Sequence, residues 1–463
     1  MSKIKRVLAL LLAMTMVMGM SMATFAAGET ATITIDNAQN ATLTYAQVIK
    51  PDQTTTTGWG FCSTDIAKAY MSAFDMTDPQ LVIQAMIDDP TGNTDAISKA
   101  LSNVAGISTL TFASMAKPQT VTSAGVYAIR ATEEGYTYNN MAAYVGFGEV
   151  NGIYPALLDA PLTAKKIPAT VEKEYDDPDD IVAIGDEITY TVKAYVPYIN
   201  PNDSDKSFFV YDNLRGATYN LTGATVTMAG NPLTNAIELN IAKTGFSINL
   251  EDLIDEANTN AGKEIVVTYK AVVTAVTADN KADAGHEGGS EFGSDTTKIY
   301  TGQITLIKYD DGDEENRKEL PGAGFEVRKG TDGDVLTFVE NAKGDYTYSP
   351  APPEGQGTVT EVFTGDDGTL VVEGLDVGTY YFKETTAPEG YSINATPANA
   401  TLKVGEGGKA TAIIEAETSL SDTKLSSLPS TGGIGTTIFT IGGCLIMLIA
   451  AFLFFAIRRK SAK

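Results

Sequence analysis

Tyr380-Tyr381-Phe382-Lys383-Glu384-Thr385-Thr386-Ala387-Pro388-Glu389-Gly390-Tyr391 is the most informative stretch of this 463-residue chain. In an extended strand, residues two apart share a face, so Tyr380, Phe382 and Glu384 point the same way. A carboxylate set among aromatic rings is costly unless it is neutral or paired. The segment Gln303-Ile304-Thr305-Leu306-Ile307-Lys308-Tyr309-Asp310 offers the partner. Its alternation puts Ile304, Leu306 and Lys308 on one face, so Lys308 turns inward with two apolar residues. The same short alternating pattern recurs at Glu187–Val192 and at Glu264–Ala271. Phe208–Leu214 reads as a strand ending in an acid, Asp212. Such runs, separated by turn residues, predict antiparallel strands in tandem β-sandwiches.

The two ends carry export and anchoring signals. Lys3, Lys5 and Arg6 precede an apolar run from Val7 to Met20 and small residues at Ala23–Ala27. This is a secretory signal peptide over residues 1–26. At the other end, residues 434–457 form an uncharged run long enough to cross a bilayer as a helix. The basic tail of residues 458–463 should stay on the cytoplasmic side. Just before the run stands Leu428-Pro429-Ser430-Thr431-Gly432, where Pro429 biases the backbone away from helix.

Composition narrows the possible functions. The net charge is −25, and the terminal signals contain bases but no acids, so the exported part is more acidic still. That argues against nucleic acid, which needs a basic face. Of the two cysteines, Cys444 lies in the apolar run, which leaves Cys62 alone outside and no internal disulfide. The single histidine, His286, argues against a histidine metal site and against Ser-His-Asp catalysis. The run Asp310–Glu315 lacks the carboxylate spacing of a calcium loop and reads as a solvated acidic turn. No metal or cofactor is expected.

Four segments follow from this reading. Residues 27–160 form a mixed α/β N-terminal domain, with helices around Ser63–Phe74 and Pro79–Ile87 and possible extension at Ile97–Leu101. Trp59 and Cys62 sit in a Gly/Thr-rich loop of that domain and read as packing residues. Residues 161–172, with two prolines flanking Lys165 and Lys166, form an extended connector. Residues 173–299 and 300–425 form two β-sandwiches.

Leu428–Gly432 followed by an apolar helix and a basic stop resembles the cell-wall sorting signal of Gram-positive surface proteins. Tyr380–Tyr391 resembles the E-box of the backbone pilins of sortase-assembled pili, and Leu320–Val327 resembles the second strand of a Cna B-type domain. Val171-Glu172-Lys173 followed by Ala183–Tyr190 resembles a Cna A-type sandwich. Gly125–Thr132 resembles a degenerate E-box, with Ala131 where the later copy has Glu384.

The resemblance implies a structural shaft subunit rather than an enzyme. A sortase would cut between Thr431 and Gly432 and join Thr431 to a lysine of the next, identical subunit. The family's pilin lysine usually follows Tyr-Pro; here Lys165 occupies the corresponding region, with Lys166 beside it. A further sortase step would attach the fibre to peptidoglycan, with minor tip or basal pilins as further partners and membrane contact only before cleavage. The resemblance also implies internal isopeptide bonds. In the Cna A-type domain the trio would be Lys173, Asp212 and Asn280, with Asp212 as the catalytic acid. In the Cna B-type domain it would be Lys308, Glu384 and Asp422, with Glu384 as the acid and Asp422 where the family usually has Asn.

Two other readings remain. A monomeric wall-anchored adhesin would need the sorting signal and the internal bonds but no pilin lysine. A secreted wall hydrolase with sandwich spacers would use paired carboxylates; the lone histidine and the lack of a distinct catalytic domain weigh against it.

Overall fold

The computed structural model describes residues 30–200, 205–233, 245–255, 258–313, 316–352, 355–405, 407–425 and 434–460. The signal peptide at 1–26 and the pentapeptide Leu428–Gly432 lie outside the described residues. The fold is mainly β, with helices near the start and one long apolar helix at the end.

In the N-terminal region, Thr42–Pro51 pairs with Gly125–Thr132, which pairs in turn with Met141–Val145. Three helices cover one face of this sheet: Thr64–Phe74, Pro79–Asp88 and Thr94–Ala105. Their starts follow local chemistry. The Ser63 side chain accepts from the Ile66 amide, and Asp78 accepts from the Gln80 amide with Pro79 in the first turn. Val48, Ile66, Tyr70, Val82 and Val104 pack beneath the helices, and a second core around Ile33, Leu43 and Ile129 fills the other side. The third helix is longer than the Ile97–Leu101 patch suggested, because its buried residues Ala100, Leu101 and Val104 recur at helical spacing.

Residues 161–172 are extended, as expected, and are also hydrogen-bonded into sheets. Ala160–Thr163 pairs in parallel with Ala31–Asp36, and Lys166–Pro168 pairs with Tyr136–Tyr138. Tyr198, from beyond this segment, ties back to the N-terminal region. Its hydroxyl lies 2.9 Å from Ser102 Oγ and 3.1 Å from Asn140 Nδ2.

The middle region is a two-sheet sandwich. One sheet runs Glu172–Tyr175, Glu187–Tyr195, Glu264–Val273, Ala217–Met228 and Asn231–Pro232 in spatial order. The other runs Gly245–Asn249, Phe209–Arg215, Thr277–Gly285 and Ser294–Tyr300. Strict alternation builds the core: Ile188, Tyr190, Val192 and Ala194 are buried from one strand, and Ile265, Val267, Tyr269 and Ala271 from its neighbour. Asp212 falls inside its strand rather than at the end, since Phe209–Arg215 continues past it.

The C-terminal sandwich follows with only Thr301, fully buried, between the Ser294–Tyr300 and Gly302–Asp310 strands. Its first sheet runs Phe338–Ala342, Asp345–Tyr348, Thr369–Leu375, Gly302–Asp310 and Ile414–Asp422. Its second runs Val362–Phe363, Gly324–Lys329, Gly378–Thr386 and Ala398–Leu402. The first and last strands, Gly302–Asp310 and Ile414–Asp422, lie side by side and parallel. The two sandwiches also touch. The Ile184 amide donates to Gly374 O at 3.0 Å, and Lys409 pairs with Asp180 at 3.1 Å.

The final helix spans Ile434–Lys460, and its stretch Ile438–Arg458 is long and apolar enough to cross a membrane.

Candidate cross-link sites and an exposed lysine

Each sandwich buries a lysine in its core. In the C-terminal one, every second residue of Gly302–Asp310 turns inward, so Lys308 follows Ile304 and Leu306 into the core and is fully buried. Parallel pairing sets Lys308 opposite Leu420 and Asp310 opposite Asp422. Asp422 therefore sits on the same buried face, one step along. Lys308 Nζ contacts Asp422 Oδ1 within its own sheet. Across the core, Glu384 Oε1 lies 3.0 Å from the same nitrogen. The three side chains of this cluster are closed to solvent. Glu384 Oε2 accepts from the Asn394 amide at 2.7 Å, which fixes the carboxyl. Burial pushes the Glu384 carboxyl above its ordinary value, against the opposing pull of that amide and of Lys308. Asp422 Oδ2 is buried without a hydrogen-bond partner.

The middle sandwich arranges its groups differently. Lys173 comes from the edge strand of one sheet, while Asp212 and Asn280 come from neighbouring strands of the other. The lysine is pinned by its own backbone, whose amide donates to Asp295 Oδ2 at 2.8 Å on the facing sheet. Lys173 Nζ contacts Asp212 Oδ2 and donates to the Tyr269 hydroxyl at 2.8 Å. Tyr269 donates to Asp212 Oδ2 at 2.8 Å, and Asn280 Nδ2 donates to Tyr269 at 2.6 Å. Tyr219 donates to the other carboxylate oxygen, Asp212 Oδ1, at 2.7 Å. Burial drives the Lys173 ammonium below its ordinary range, with Asp212 opposing. Asn280 Oδ1 is buried without a hydrogen-bond partner.

Both sites thus hold the parts of an amide-forming reaction. There is a buried amine, an acid that contacts it directly, and a carboxamide or carboxyl with one unsatisfied oxygen. Sequence reasoning named all six of these residues. It missed Tyr269 and Tyr219, because an inward tyrosine on an alternating strand reads simply as core.

Lys165 and Lys166 are unlike these and unlike each other. Lys165, between the Ala160–Thr163 and Lys166–Pro168 strands, is exposed. Lys166 donates to Glu133 Oε1 at 2.8 Å and lies 3.5 Å from the centre of the Tyr136 ring. The hydrogen bond to Glu133 raises its pKa and holds it as a cation. Ala131 stands opposite Leu43 on Gly125–Thr132, so at the degenerate E-box a methyl group replaces the carboxylate.

Other expectations resolve as follows. Asp310 is buried rather than part of a solvated turn. It accepts from the Lys318 amide at 2.8 Å and pairs with Lys424 at 3.1 Å, and the backbone bond leads in lowering its pKa. His286 lies 3.4 Å from Asp205 and 2.9 Å from Ser207 O, away from both lysine sites. Trp59 packs against Tyr144 and Phe147, and Cys62 is half-buried with no disulfide. Among the described residues, no group of acids, histidines or cysteines has the arrangement of a metal site.

Residues 302–417 match the family model of the SpaA prealbumin-like fold domain, and residues 421–463 match the LPXTG cell wall anchor motif. The trypsin-resistant surface T6 protein of Streptococcus pyogenes serotype M6 is 23% identical over 421 residues, spanning 71% of this chain and 77% of that protein. The solved T6 backbone pilin of serotype M6 Streptococcus pyogenes is 19% identical, with a TM-score of 0.54, covering 82% of this chain and 81% of that one. The Corynebacterium diphtheriae major pilin SpaA is 16% identical, with a TM-score of 0.46, covering 86% of this chain and all of that one.

Proposed function

We propose, for a chain that belongs to the backbone pilins of Gram-positive pili, that it is the covalently polymerised shaft subunit of a wall-anchored surface fibre. One observation carries the finer reading. In each sandwich a fully enclosed lysine contacts an acid, and a side-chain amide or carboxyl completes the cluster. A monomeric protein gains little from keeping such groups charged in its core; a protein that converts them to an amide removes the charges altogether.

In the C-terminal sandwich, Glu384 takes a proton from Lys308 Nζ. The neutral amine attacks Cγ of Asp422; the proton held by Glu384 and a second one from Nζ pass to the departing oxygen, which leaves as water. In the middle sandwich, Lys173 attacks Cγ of Asn280 and ammonia leaves. The products tie distant parts of each domain together as disulfides do, worth ~2–4 kcal/mol each on that scale, and without dependence on redox poise. The trypsin resistance named for the T6 relative suits such a chain.

Between subunits, sortase would carry the Thr431 carbonyl to a lysine. Lys165 is the acceptor in this reading, because it is exposed while Lys166 is held by Glu133 and the Tyr136 ring. Boiled cell-wall extracts on a denaturing gel test the polymer. The wild type and Lys166→Ala should give a high-mass ladder, and Lys165→Ala a single band. A single band in the wild type would return the protein to the monomeric adhesin.

A further inference from the structure

We propose that Tyr269 is a catalytic residue of the middle cross-link, its hydroxyl passing the proton between Asp212 and the side-chain amide of Asn280. The proposal rests on the reading that the Lys173–Asn280 bond forms.

The C-terminal site needs no such relay, since Lys308 Nζ touches the acid and the electrophile at once. The middle site is spaced differently. Across the strand pair, Asp212 stands opposite Ala282 and Asn280 stands opposite Leu214. Acid and amide share a face but stand diagonally across the strand pair, and both side chains are short. Among the described residues no hydrogen bond joins Asp212 to Asn280. The Tyr269 hydroxyl closes that gap from the facing sheet. It lies 2.8 Å from Asp212 Oδ2, 2.6 Å from Asn280 Nδ2 and 2.8 Å from Lys173 Nζ. One donated and two accepted bonds use the full capacity of a phenol. Turning the Asn280 amide by half a turn exchanges its nitrogen and oxygen, and Tyr269 remains the group that touches both it and the acid.

Packing holds the hydroxyl in place. The Tyr269 ring stacks on Tyr190 at 5.6 Å between centroids, meets Phe246 edge-on at 5.0 Å, and leans on Tyr219 at 5.7 Å. Burial also keeps the phenol from ionising, because its pKa lies far above the ordinary tyrosine value. It therefore works by exchange, accepting one proton as it gives another.

The step balances. Lys173 passes a proton to Asp212, and the neutral Nζ attacks Cγ of Asn280. Asp212 gives its proton to the Tyr269 oxygen as the Tyr269 proton moves to Nδ2. The Cγ–Nδ2 bond breaks and ammonia leaves, while the surplus proton on Nζ returns to Asp212. One N–C bond forms, one breaks, and both Tyr269 and Asp212 end with as many protons as they held before the attack.

Peptide mass spectrometry of the full-length protein reads the two cross-links separately, as one ammonia lost between the Lys173 and Asn280 peptides and one water lost between the Lys308 and Asp422 peptides. In Tyr269→Phe, 173–280 linking should slow by about a hundredfold, within the range of general acid–base effects, with 308–422 linking unchanged in the same molecules. Tyr219→Phe removes a donor from Asp212 without touching Asn280 and should link at nearly the wild-type rate. Wild-type linking in Tyr269→Phe, or equal slowing in both variants, overturns the relay. If Tyr269→Phe does not fold, fluorotyrosine at 269 keeps the ring and hydroxyl but alters their acidity; it must change the linking rate, and an unchanged rate overturns the relay. A wild type without any 173–280 link refutes the underlying reading instead.

Discussion

The two sandwiches enclose the same kind of lysine–acid cluster with different geometry. In the C-terminal one, lysine and electrophile come from adjacent parallel strands of one sheet, and the acid reaches across from the other. In the middle one, the lysine crosses the core alone, and acid and electrophile wait on the facing sheet. Lys308 and Asp422 share a face two residues out of register, an offset the long lysine side chain spans, and Glu384 need only drop onto the same nitrogen. In the middle site the same offset separates two short side chains, Asp212 and Asn280, and Tyr269 bonds to both. The C-terminal cluster is complete with three residues, while in the middle one Tyr269 stands between the acid and the amide.

The comparison breaks or sharpens under substitution. The largest expected effect is that of Glu384→Ala. It removes the acid that reaches Lys308 from the far sheet, so the water-loss cross-link should vanish while the ammonia-loss one persists. Thermal unfolding of the C-terminal sandwich should reflect loss of the ~2–4 kcal/mol assigned to the bond, and trypsin digestion should cut that domain first.

Next comes Lys308→Met, which leaves Glu384 buried without its ammonium. Burial already holds this carboxyl above the ordinary value of about 4.3. The folded state then binds the proton more tightly than the unfolded chain. The resulting stability is fully present below that ordinary value and is lost as pH rises through the raised one. Melting temperature measured across the acid range should fall toward neutral pH; a flat profile would mean that Glu384 is already solvated.

Exchanging the electrophiles is subtler. Asp422→Asn should turn the C-terminal loss from water to ammonia with the link intact, since the contact with Lys308 is kept. Asn280→Asp should turn the middle loss from ammonia to water and slow it, because a second carboxyl near Asp212 disfavours ionisation of both. Mass differences at each peptide pair report both outcomes.

The smallest effect belongs to Tyr219→Phe. It should cost about 1 kcal/mol, the scale of one hydrogen bond, visible in chemical unfolding and absent from the final mass.

Much of this was legible in the residues. Alternation alone turned Lys308 and Glu384 inward, and a buried carboxylate among aromatics asked for a partner. Asp422 was legible from its place just before the sorting signal. The first helices were legible from apolar residues recurring at three and four over Ser63–Phe74 and Pro79–Ile87. What stayed hidden depended on contacts between distant segments. Tyr269 looks like any inward aromatic until register sets it over Asp212 and Asn280. Lys165 and Lys166 are neighbours of identical chemistry, and only Glu133 and Tyr136, brought in by strand pairing, tell them apart. Asp310 reads as the start of a solvated turn because four acids follow within five residues; the parallel pairing with Asp422 draws it inward instead.

The position of the first and last strands of the C-terminal sandwich has a mechanical consequence. Tension entering that domain at Gly302 runs along one strand to Lys308 and would cross the amide to Asp422, a short step from the sorting signal. Everything from residue 309 to residue 421 hangs beside the taut path rather than on it. A Lys173–Asn280 bond would repeat the shortcut in the middle sandwich, sparing residues 174–279. A fibre built this way would lengthen very little when pulled, since its stretch is confined to a few extended strands and the junctions between them, and its folded domains would ride along unstrained.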